Sequence, residues 1–434
     1  MNTENNATSA TRQMEPIKYK NLLINFTTEF SRSSSAANGA TKPRAFWRPT
    51  PPADSLPGYF PLGDLVAAGD ENINGKRVTA VVCEGIAQNA ETKALARPDD
   101  YEQVWRDSGS QSIGTLWRPV PPEGYVALGL VCSNDNEKPS LQAVRCVRAD
   151  LVIASNVGET LWNNWDSGEQ PPFVAWNVTP PIAPPGEIYF AAGTFIGYNN
   201  NAQNSTGISA YSLRMQIPLK INPSPAVPVL SGFVASEPEE ASQPTQIATL
   251  PWFAVEDNAL GPLERFRKSP YYHFERTDLF ALIGYGHNTA NKSKLFRWTA
   301  SRVLIDNILR IFTRLTSIEI KTAWPTAGLK TNSPIGFSAQ LNELFTRTET
   351  SNSEWTTSRG MEVAALVTKN KAVAAYQMQS HYNLRRLDGT EVAVNFAYAD
   401  SNSLHFSVYP EEDAESSVPP EPVNPAQPAT DTLP

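Results

Sequence analysis

The N-terminal half of the chain contains one sequence pattern three times. Trp47-Arg48-Pro49 and Trp117-Arg118-Pro119 are each followed by a Pro-Pro pair, a Gly-Tyr pair and a Leu-Gly pair, and a fainter third copy begins at Trp176. In each copy an apolar strand ends at the tryptophan, prolines prevent further pairing, and a glycine permits the turn into the next strand. A period of roughly 60 to 70 residues is typical of the units of a closed β architecture. We therefore expect a three-fold, β-prism-like domain in which each unit buries one tryptophan against a shared axis.

Length and proline content predict an all-β protein with two domains. The 434 residues exceed what one hydrophobic core usually organises. The 36 prolines favour many short strands, because proline is excluded from helix interiors and central sheet positions. Proline density at 218–228 and low apolar content at both ends indicate where the domains stop. The expected segments are a disordered tail at 1–15, a β-prism-like repeat domain at 16–220, a linker at 221–250, a β-rich domain at 251–410 and a disordered, acidic, Pro-rich tail at 411–434.

Charge and targeting signals narrow the class of partner. Acidic residues outnumber basic ones by 44 to 36, and the net charge of −8 disfavours nucleic acid as a partner. The chain has no long apolar stretch, and its polar N-terminus has no Sec-type signal. We expect a soluble protein that stays in the bacterial cytoplasm or is released by a non-classical route, and that acts at a host cell membrane.

The sequence offers no recognisable enzyme site. Its four histidines have no metal-ligand spacing, and neither a Gly-rich phosphate loop nor a Gly-x-Ser-x-Gly elbow occurs. We therefore expect no catalytic residues, no metal and no cofactor. Cys83, Cys132 and Cys146 cannot all pair with one another. Cys132 and Cys146 could face each other across a hairpin, although buried free thiols are favoured.

The repeat also supplies the candidate binding residues. An exposed tryptophan or tyrosine ring packs against the C–H groups of a sugar, while neighbouring polar groups bind its hydroxyls. The alternative is that the tryptophans pack in the core and the arginines stack on them or pair beside them. The candidates for binding a receptor or glycan are Trp47, Arg48, Tyr59, Trp117, Arg118, Tyr125 and Trp176.

Two segments of the C-terminal half alternate apolar and polar residues, as half-exposed strands do. They are 361–367 and 337–345, the second with its apolar residues at Phe337, Ala339, Leu341 and Phe345. Residues 346–358 between them are almost wholly polar. This stretch cannot face a core, so we expect a solvent-exposed hairpin or ribbon there.

The segment 303–320 fits both a helix and a strand. Its apolar residues form a helical stripe and also fall on one face of a strand, and its isoleucine, phenylalanine and threonine content favours the strand. As an amphipathic strand it could insert into a membrane, and with at least equal weight it could pack on the core of its own domain. The membrane-insertion candidates are Ile305, Leu309, Ile311, Phe312 and Leu315.

Distinctive strings in the first half carry a family resemblance. They are Arg97-Pro98-Asp99-Asp100-Tyr101, the run from Leu116 to Tyr125, and Arg145-Cys146-Val147-Arg148-Ala149-Asp150-Leu151. Through them, residues from about 20 to about 215 resemble the vacuolar-protein-sorting "sixty-two" family, a module shared by plant proteins of unknown function and by some bacterial and fungal proteins. The resemblance implies a fold and no biochemical activity. The third copy departs from the pattern, with Asn177-Val178 in place of Arg-Pro.

The second half resembles the C-terminal domain of bacterial insecticidal, pore-forming-like proteins of the aerolysin type. The resemblance covers residues from about 250 to about 410, and its strings are Ser269 to Asp278, Gly284-Tyr285-Gly286-His287-Asn288, Lys371 to Tyr376, and Arg386-Leu387-Asp388-Gly389-Thr390. It implies an elongated, aerolysin-like β domain in which an amphipathic hairpin joins a barrel shared between copies. Such a barrel satisfies every backbone group inside lipid. The segment 303–320 is more apolar and richer in arginine than the Ser/Thr alternation expected of such a hairpin.

These observations lead to one hypothesis of function and one alternative. The hypothesis is a toxin-like protein, of the insecticidal type, that binds a glycan or a cell-surface or membrane receptor through the N-terminal β-prism. Its C-terminal β domain would form a homo-oligomer and insert into the membrane on activation. The alternative is a non-lytic, lectin-like or trafficking-adaptor binding protein whose second domain is structural.

Overall fold

The computed structural model describes residues 13–35, 44–69, 71–86, 92–106, 114–134, 136–164, 172–198, 208–235, 237–238, 243–300, 335–342, 345, 361–392 and 396–411. About 53% of the structure is strand and about 5% is helix, which confirms the all-β prediction. The strands pair almost entirely antiparallel.

The first eighteen strands form a head that consists of three units. Strand β1 (Ile17–Tyr19) precedes the first unit. Unit 1 contains β2 (Leu22–Thr27), β3 (Phe30–Ser35), β4 (Arg44–Pro49), β5 (Phe60–Pro61), β6 (Leu65–Ala68) and β7 (Thr79–Glu84). Unit 2 contains β8 (Leu95–Ala96), β9 (Asp100–Arg106), β10 (Thr115–Val120), β11 (Tyr125–Val126), β12 (Val131–Ser133) and β13 (Cys146–Arg148). Unit 3 contains β14 (Val152–Asn163), β15 (Val174–Thr179), β16 (Glu187–Phe190), β17 (Ile196–Tyr198) and β18 (Ala210–Gln216).

The three units repeat one sheet topology. One sheet of each unit has the order β3-β4-β6, β9-β10-β12 and β14-β15-β17, respectively. The other sheet has the order β2-β7-β5, β8-β13-β11 and β14-β18-β16. In unit 3, the 12 residues of β14 serve both sheets, so the two sheets merge into one. This repetition confirms the three-fold design that the sequence pattern predicts.

A closed ring of backbone hydrogen bonds joins the units at their common axis. The N–H of Asp64 donates to the carbonyl of Leu130 (2.8 Å), that of Leu130 to Phe195 (3.0 Å), and that of Phe195 back to Asp64 (3.3 Å). Each of these residues directly precedes the residue that lies opposite its unit's tryptophan, namely Leu65, Val131 and Ile196. The axis is tightly packed, because a Cβ at Gly63 would lie 2.9 Å from the Cα of Gly129.

The tryptophans of the repeat do not line this axis, which corrects the expectation from the sequence. The axial core contains instead the residue before each tryptophan, namely Phe46, Leu116 and Ala175, together with Phe195. Trp47 and Trp117 lie in two other clusters, and Trp176 packs against a third. Successive side chains of a strand point to opposite faces, so a residue next to an axial one must face outward.

The remaining strands form the body. They are β19 (Leu219–Ile221), β20 (Gln246–Pro251), β21 (Tyr271–Asn288), β22 (Lys294–Ala300), β23 (Phe337–Ala339), β24 (Met361–Val367), β25 (Lys371–Arg386) and β26 (Phe396–Tyr409), with a short helix, α1 (Pro262–Lys268), before β21. A five-stranded sheet has the order β19-β20-β21-β25-β26, and β22 and β24 form a separate pair. The 18 residues of β21 and the 16 of β25 give this sheet the elongated form expected of the C-terminal half.

Head and body share one hydrophobic core. Phe26 of the head packs against Trp252 and Phe253 of the body, with ring centroids 5.6 and 5.7 Å apart. Strand β23, which comes from the C-terminal half of the sequence, pairs with β16 of the head. The segment boundaries expected at 220 and 250 stay predictions.

The two alternating segments of the C-terminal half form strands β23 and β24, as predicted. On the polar side of the first segment, Gln340 and Asn342 are partly exposed as expected, but Ser338 is buried, while the apolar residues Phe337, Ala339, Leu341 and Phe345 are at most 5% exposed. They face the core shared by head and body. All three cysteines are free, and Cys132 and Cys146 are buried, as the favoured alternative predicts.

Candidate functional site

The three repeat tryptophans occupy equivalent positions in different surroundings. Trp47 is 5% exposed and Trp117 is 4% exposed. Trp117 packs against Tyr101 and Val131, and its Nε1 donates a hydrogen bond to the Oγ of Ser133 (2.9 Å). The faces of these two indoles are therefore engaged in packing, as the alternative interpretation of the repeat describes.

Trp176 differs from the other two because it is half-buried. Its strand β15 pairs with β17, where Val174 lies opposite Tyr198 and Trp176 lies opposite Ile196. Directly opposed residues of an antiparallel pair share one sheet face, so Tyr198 and Trp176 are on the same side. Tyr198 is 44% exposed. Unit 3 thus presents two accessible aromatic rings on its outer face.

Arg48 forms an ion pair that links unit 1 to unit 2. Its Nε donates to Oδ1 of Asp64 (2.8 Å), and a terminal nitrogen donates to Oδ2 of Asp64 (3.0 Å) and to the carbonyl of Cys132 (2.7 Å). Asp64 is fully buried and also accepts the N–H of Cys132 (2.8 Å). These bonds satisfy the hydrogen-bonding needs of the buried Asp64 carboxylate and join units 1 and 2. They give Arg48 a structural role.

Arg118, at the equivalent place in unit 2, pairs with the exposed Glu102 (3.1 Å). Tyr59 and Tyr125 are both half-buried. Burial raises the pKa of Tyr59 to about 12, and the hydroxyl of Tyr125 donates to the carbonyl of Lys93 (2.7 Å). The seven candidate binding residues are thus distributed over three units and are not gathered at one site.

The second candidate region is the ribbon, defined as the pair β22 and β24. Its register runs from Lys294 opposite Val367 to Ala300 opposite Met361. Val363 and Val367 are buried, whereas Leu295 and Leu366, which lie directly opposite each other, are 47% and 70% exposed. The ribbon is amphipathic, and its outer face carries an exposed apolar pair.

Two glycines of β21 form the seat of the ribbon. A Cβ at Gly284 would come within 2.1 Å of the Trp298 ring, and one at Gly286 within 2.5 Å of the Phe296 ring. The two rings are stacked, with centroids 6.1 Å apart. The contacts run antiparallel, so β22 folds back along β21. The ribbon is therefore held by the packing of these two rings on the backbone of the two glycines. The side-chain amide of Asn288 adds hydrogen bonds to the carbonyls of Lys292 and Val367 (both 2.9 Å).

A buried polar network lies on the opposite face of the same sheet. Arg276 and Asp278 are 4% and 0% exposed, and the Nε of Arg276 donates to Oδ1 of Asp278 (3.0 Å). The hydroxyl of Ser380 donates to the same oxygen (2.7 Å), and the N–H of Asp278 donates to Oγ1 of Thr245 (3.0 Å). Such a pair is tolerated in a core because every charge has hydrogen-bonding partners.

The membrane-insertion candidates Ile305, Leu309, Ile311, Phe312 and Leu315 lie outside the described residues, as does the polar segment 346–358. Sequence reasoning missed Asp64, the glycine seat and the Arg276–Asp278 network. Of these, only the glycine seat could have been recognised from the sequence. Gly284 and Gly286 interrupt a long strand pattern, and glycine inside a strand often marks a place where other groups approach the backbone closely.

The described residues lack two further features. They contain no group of three or more His, Cys, Asp or Glu side chains suited to holding a metal ion. They also contain no helix with the length and apolar character needed to cross a membrane.

Comparisons with known proteins give one matching family model and ten matching chains of solved structures, among them GNIP1Aa and Cry35Ab1. No curated protein matches the chain. GNIP1Aa from Chromobacterium piscinae has 22% identity and a TM-score of 0.36 over 44% of this chain, and the match spans 37% of GNIP1Aa. Cry35Ab1 has 8% identity and a TM-score of 0.31 over 73% of this chain and 89% of its own. Residues 13–226, which contain the whole three-unit head, match the family model of vacuolar protein sorting-associated protein 62.

Proposed function

We propose that this protein is a toxin-like binding protein without enzymatic activity. Its three-unit head would recognise a glycan or a membrane receptor, and its body would oligomerise and insert into the target membrane. The observation that carries the proposal is the ribbon. It is an amphipathic strand pair that rests on two glycines and is separate from the hydrogen-bonded order of the long sheet.

The hydrogen bonding and surface of the ribbon support its detachment from the long sheet. Its backbone bonds are internal to the pair, so lifting it off the sheet exposes aromatic surface but breaks no strand ladder with β21. Its outer face includes Leu295 and Leu366, which are already in solvent. Alternating faces are what a strand needs when one side meets acyl chains and the other meets water.

For the head, unit 3 is the most suitable recognition surface. Trp176 and Tyr198 share an outer face, and Tyr198 is 44% exposed. Accessible aromatic rings are typical of sugar sites. We therefore place the glycan or receptor contact on unit 3 in preference to the buried Trp47 and Trp117.

The head assignment is tested by saturable binding of labelled protein to target cells with sugar competition. We expect Trp176→Ala to abolish the sugar-competed fraction without changing the melting temperature by more than a few degrees. The matched control is Val120→Ala, which removes an exposed apolar side chain from unit 2 and leaves binding intact. Undiminished binding by the Trp176 variant would place the receptor site elsewhere.

The alternative, a non-lytic lectin-like or adaptor protein, has one observation in its favour. Head and body share a continuous core, as a structural second domain would require. Dye release from receptor-bearing liposomes separates the two functions. The toxin-like proposal requires leakage together with SDS-resistant oligomers, whereas binding that leaves the liposomes intact would support the alternative.

A further inference from the structure

The strap, defined as residues 335–342 with Phe345, lies in the sequence between the two strands of the ribbon. Ala300, at the end of β22, is the cross-strand partner of Met361, at the start of β24. The strap therefore belongs to the stretch of chain that joins these two paired strands. The strap is the part of that stretch that the structure places, and it lies against the head.

The head binds the strap as an additional edge strand of its unit 3 sheet. Ile188, Tyr189 and Phe190 of β16 pair with Ala339, Ser338 and Phe337, which adds β23 to the edge of the unit 3 sheet. Backbone bonds extend the pairing, from the N–H of Ala191 to Gly336 (2.8 Å) and from the N–H of Gly186 to Gln340 (2.9 Å). The N–H of Ala183 also donates to the Oγ of Ser338 (3.0 Å).

The body holds the other end of the strap through Phe345. Its carbonyl accepts bonds from a terminal nitrogen of Arg276 (3.1 Å) and from the hydroxyl of Tyr382 (2.8 Å). Its ring packs against Phe274 at a centroid distance of 5.2 Å. The buried Arg276–Asp278 pair therefore anchors the strap to the long sheet.

The strap has the residue pattern of a membrane-spanning strand. Ile335, Phe337, Ala339 and Leu341 alternate with Gly336, Ser338, Gln340 and Asn342. All four apolar residues are at most 5% exposed, because they face the shared core. A strand in a transmembrane barrel has the same alternation, with the apolar side toward lipid.

We propose that the strap is part of the membrane-inserting hairpin, and that the head holds its lipid-facing stripe in its own core until insertion begins. This inference rests on the proposed function and specifies how the insertion is regulated. Extension of the ribbon hairpin removes the strap from β16, because one strand cannot occupy both places. The apolar surface that leaves the core is then reburied against acyl chains, and the lost bonds to β16 are replaced inside the barrel.

A reversible disulfide bond between the strap and β16 tests the proposal. The double variant Ile188→Cys with Ala339→Cys places two thiols on directly opposed residues of β16 and β23. Opposed antiparallel residues have Cα separations of about 4.5 to 5.5 Å, which a disulfide can bridge. We expect the oxidised variant to lose leakage activity on liposomes made from target-cell membrane lipids, down to the background of liposomes without protein, while binding is unchanged. Dithiothreitol should restore leakage to the wild-type level.

The matched control is Ala45→Cys with Ala67→Cys, a buried opposed pair within unit 1 that does not involve the strap. Its leakage should be the same when oxidised and reduced. Equal leakage from the oxidised and reduced strap variant would overturn the inference and leave the proposed function intact. Absence of leakage from the wild-type protein and from every reduced variant would overturn both.

A measurement on the wild-type chain covers the case in which the double variant does not fold. Hydrogen exchange at 337–339 and at the facing strand β16 is compared for free and liposome-bound protein. We expect the amides of β16 that face the strap to lose protection on the membrane. Unchanged protection at β16 in protein that causes leakage would contradict release of the strap.

Discussion

Arg48 and Arg118 occupy equivalent positions in successive units but differ in what surrounds them. Arg48 meets the fully buried Asp64, which also receives the N–H of Cys132 from unit 2. Arg118 meets the exposed Glu102. A buried carboxylate that loses its charge leaves an unpaired cation and an unsatisfied network, whereas an exposed pair contributes little. Of the two arginines, we therefore expect Arg48 and not Arg118 to stabilise the packing at the three-fold axis.

This difference gives a paired prediction. Asp64→Asn should lower the free energy of unfolding by about 2 to 3 kcal/mol, because Arg48 keeps its burial and loses its counter-charge. Glu102→Gln, the matched change in unit 2, should lower it by less than about 0.5 kcal/mol. Urea unfolding of both variants measures the two values. Equal losses would contradict the structural role of the Arg48–Asp64 pair.

His381 gives the molecule a pH dependence. Burial lowers the pKa of His381 from the ordinary value of 6.5, and its Nε2 is buried without a hydrogen-bond partner among the described residues. Between the lowered folded-state pKa and 6.5, the unfolded chain binds more protons than the folded one, so stability falls as the pH drops through that window. Well above pH 6.5 the imidazole is neutral in both states and His381 imposes no cost on folding.

We expect the melting temperature to drop less between pH 7.5 and pH 5 in His381→Gln than in the wild type, because glutamine does not titrate. Thermal unfolding at the two pH values measures the difference. Identical drops in the two proteins would show that His381 binds protons equally in the folded and unfolded states, and would contradict the lowered pKa.

At the scale of elements, the ribbon depends on the absence of side chains beneath it. Gly284 and Gly286 let the rings of Trp298 and Phe296 rest on the backbone of β21. This close contact gives dispersion and apolar burial without any ladder of hydrogen bonds between ribbon and sheet. Such an element opens locally at a lower free energy than the paired strands around it.

Gly284→Ala should loosen the ribbon, since its methyl group would overlap the Trp298 ring. We expect amide exchange in β22 and β24 to rise about ten-fold, equivalent to roughly 1.4 kcal/mol of lost protection. Gly232→Ala is the control, because a Cβ at Gly232 meets nothing within 4 Å. Unchanged exchange in the Gly284 variant would mean that the seat does not hold the ribbon.

Some of these elements could be predicted from the sequence, and others could not. The spacing of Trp-Arg-Pro strings predicted three units, because each string fixes a strand end and a turn. Which side of the strand faces the axis was mispredicted, since Phe46 and Trp47 are both apolar and alternation alone does not choose between them. The insertion candidates from 303 to 320 stay predictions, because they lie outside the described residues.

The candidate site was harder to predict because its contacts join distant residues. Ser338 meets the N–H of Ala183, and Phe345 meets Arg276, with separations of 155 and 69 residues. Alternation in 337–345 predicted a strand, but it did not predict that Ser338, on the polar side, is buried, because nothing local shows that the head supplies a second covering surface. The pairing of β23 with β16 of the head joins residues that are far apart in the sequence, so local sequence patterns do not reveal it.

At the scale of the whole molecule, recognition and insertion are coupled through the shared core. Phe26 of the head, Trp252 of the body and Phe337 of the strap belong to one cluster of buried side chains. Release of the strap would therefore remove apolar surface from both parts at once. In the proposed function, the energy for this step comes from reburial in lipid, which makes contact with a membrane the condition for opening.

The most direct test of this account is a distance between the ribbon and the head, measured with spin labels at Ala364→Cys and Lys18→Cys. Both positions are exposed, and Cys83 is replaced by serine to leave no half-exposed native thiol. The account predicts that the distance changes by roughly 20 Å between free protein and liposome-bound protein, since a strand of this length spans about 23 Å. An unchanged distance in protein that is causing leakage would contradict it.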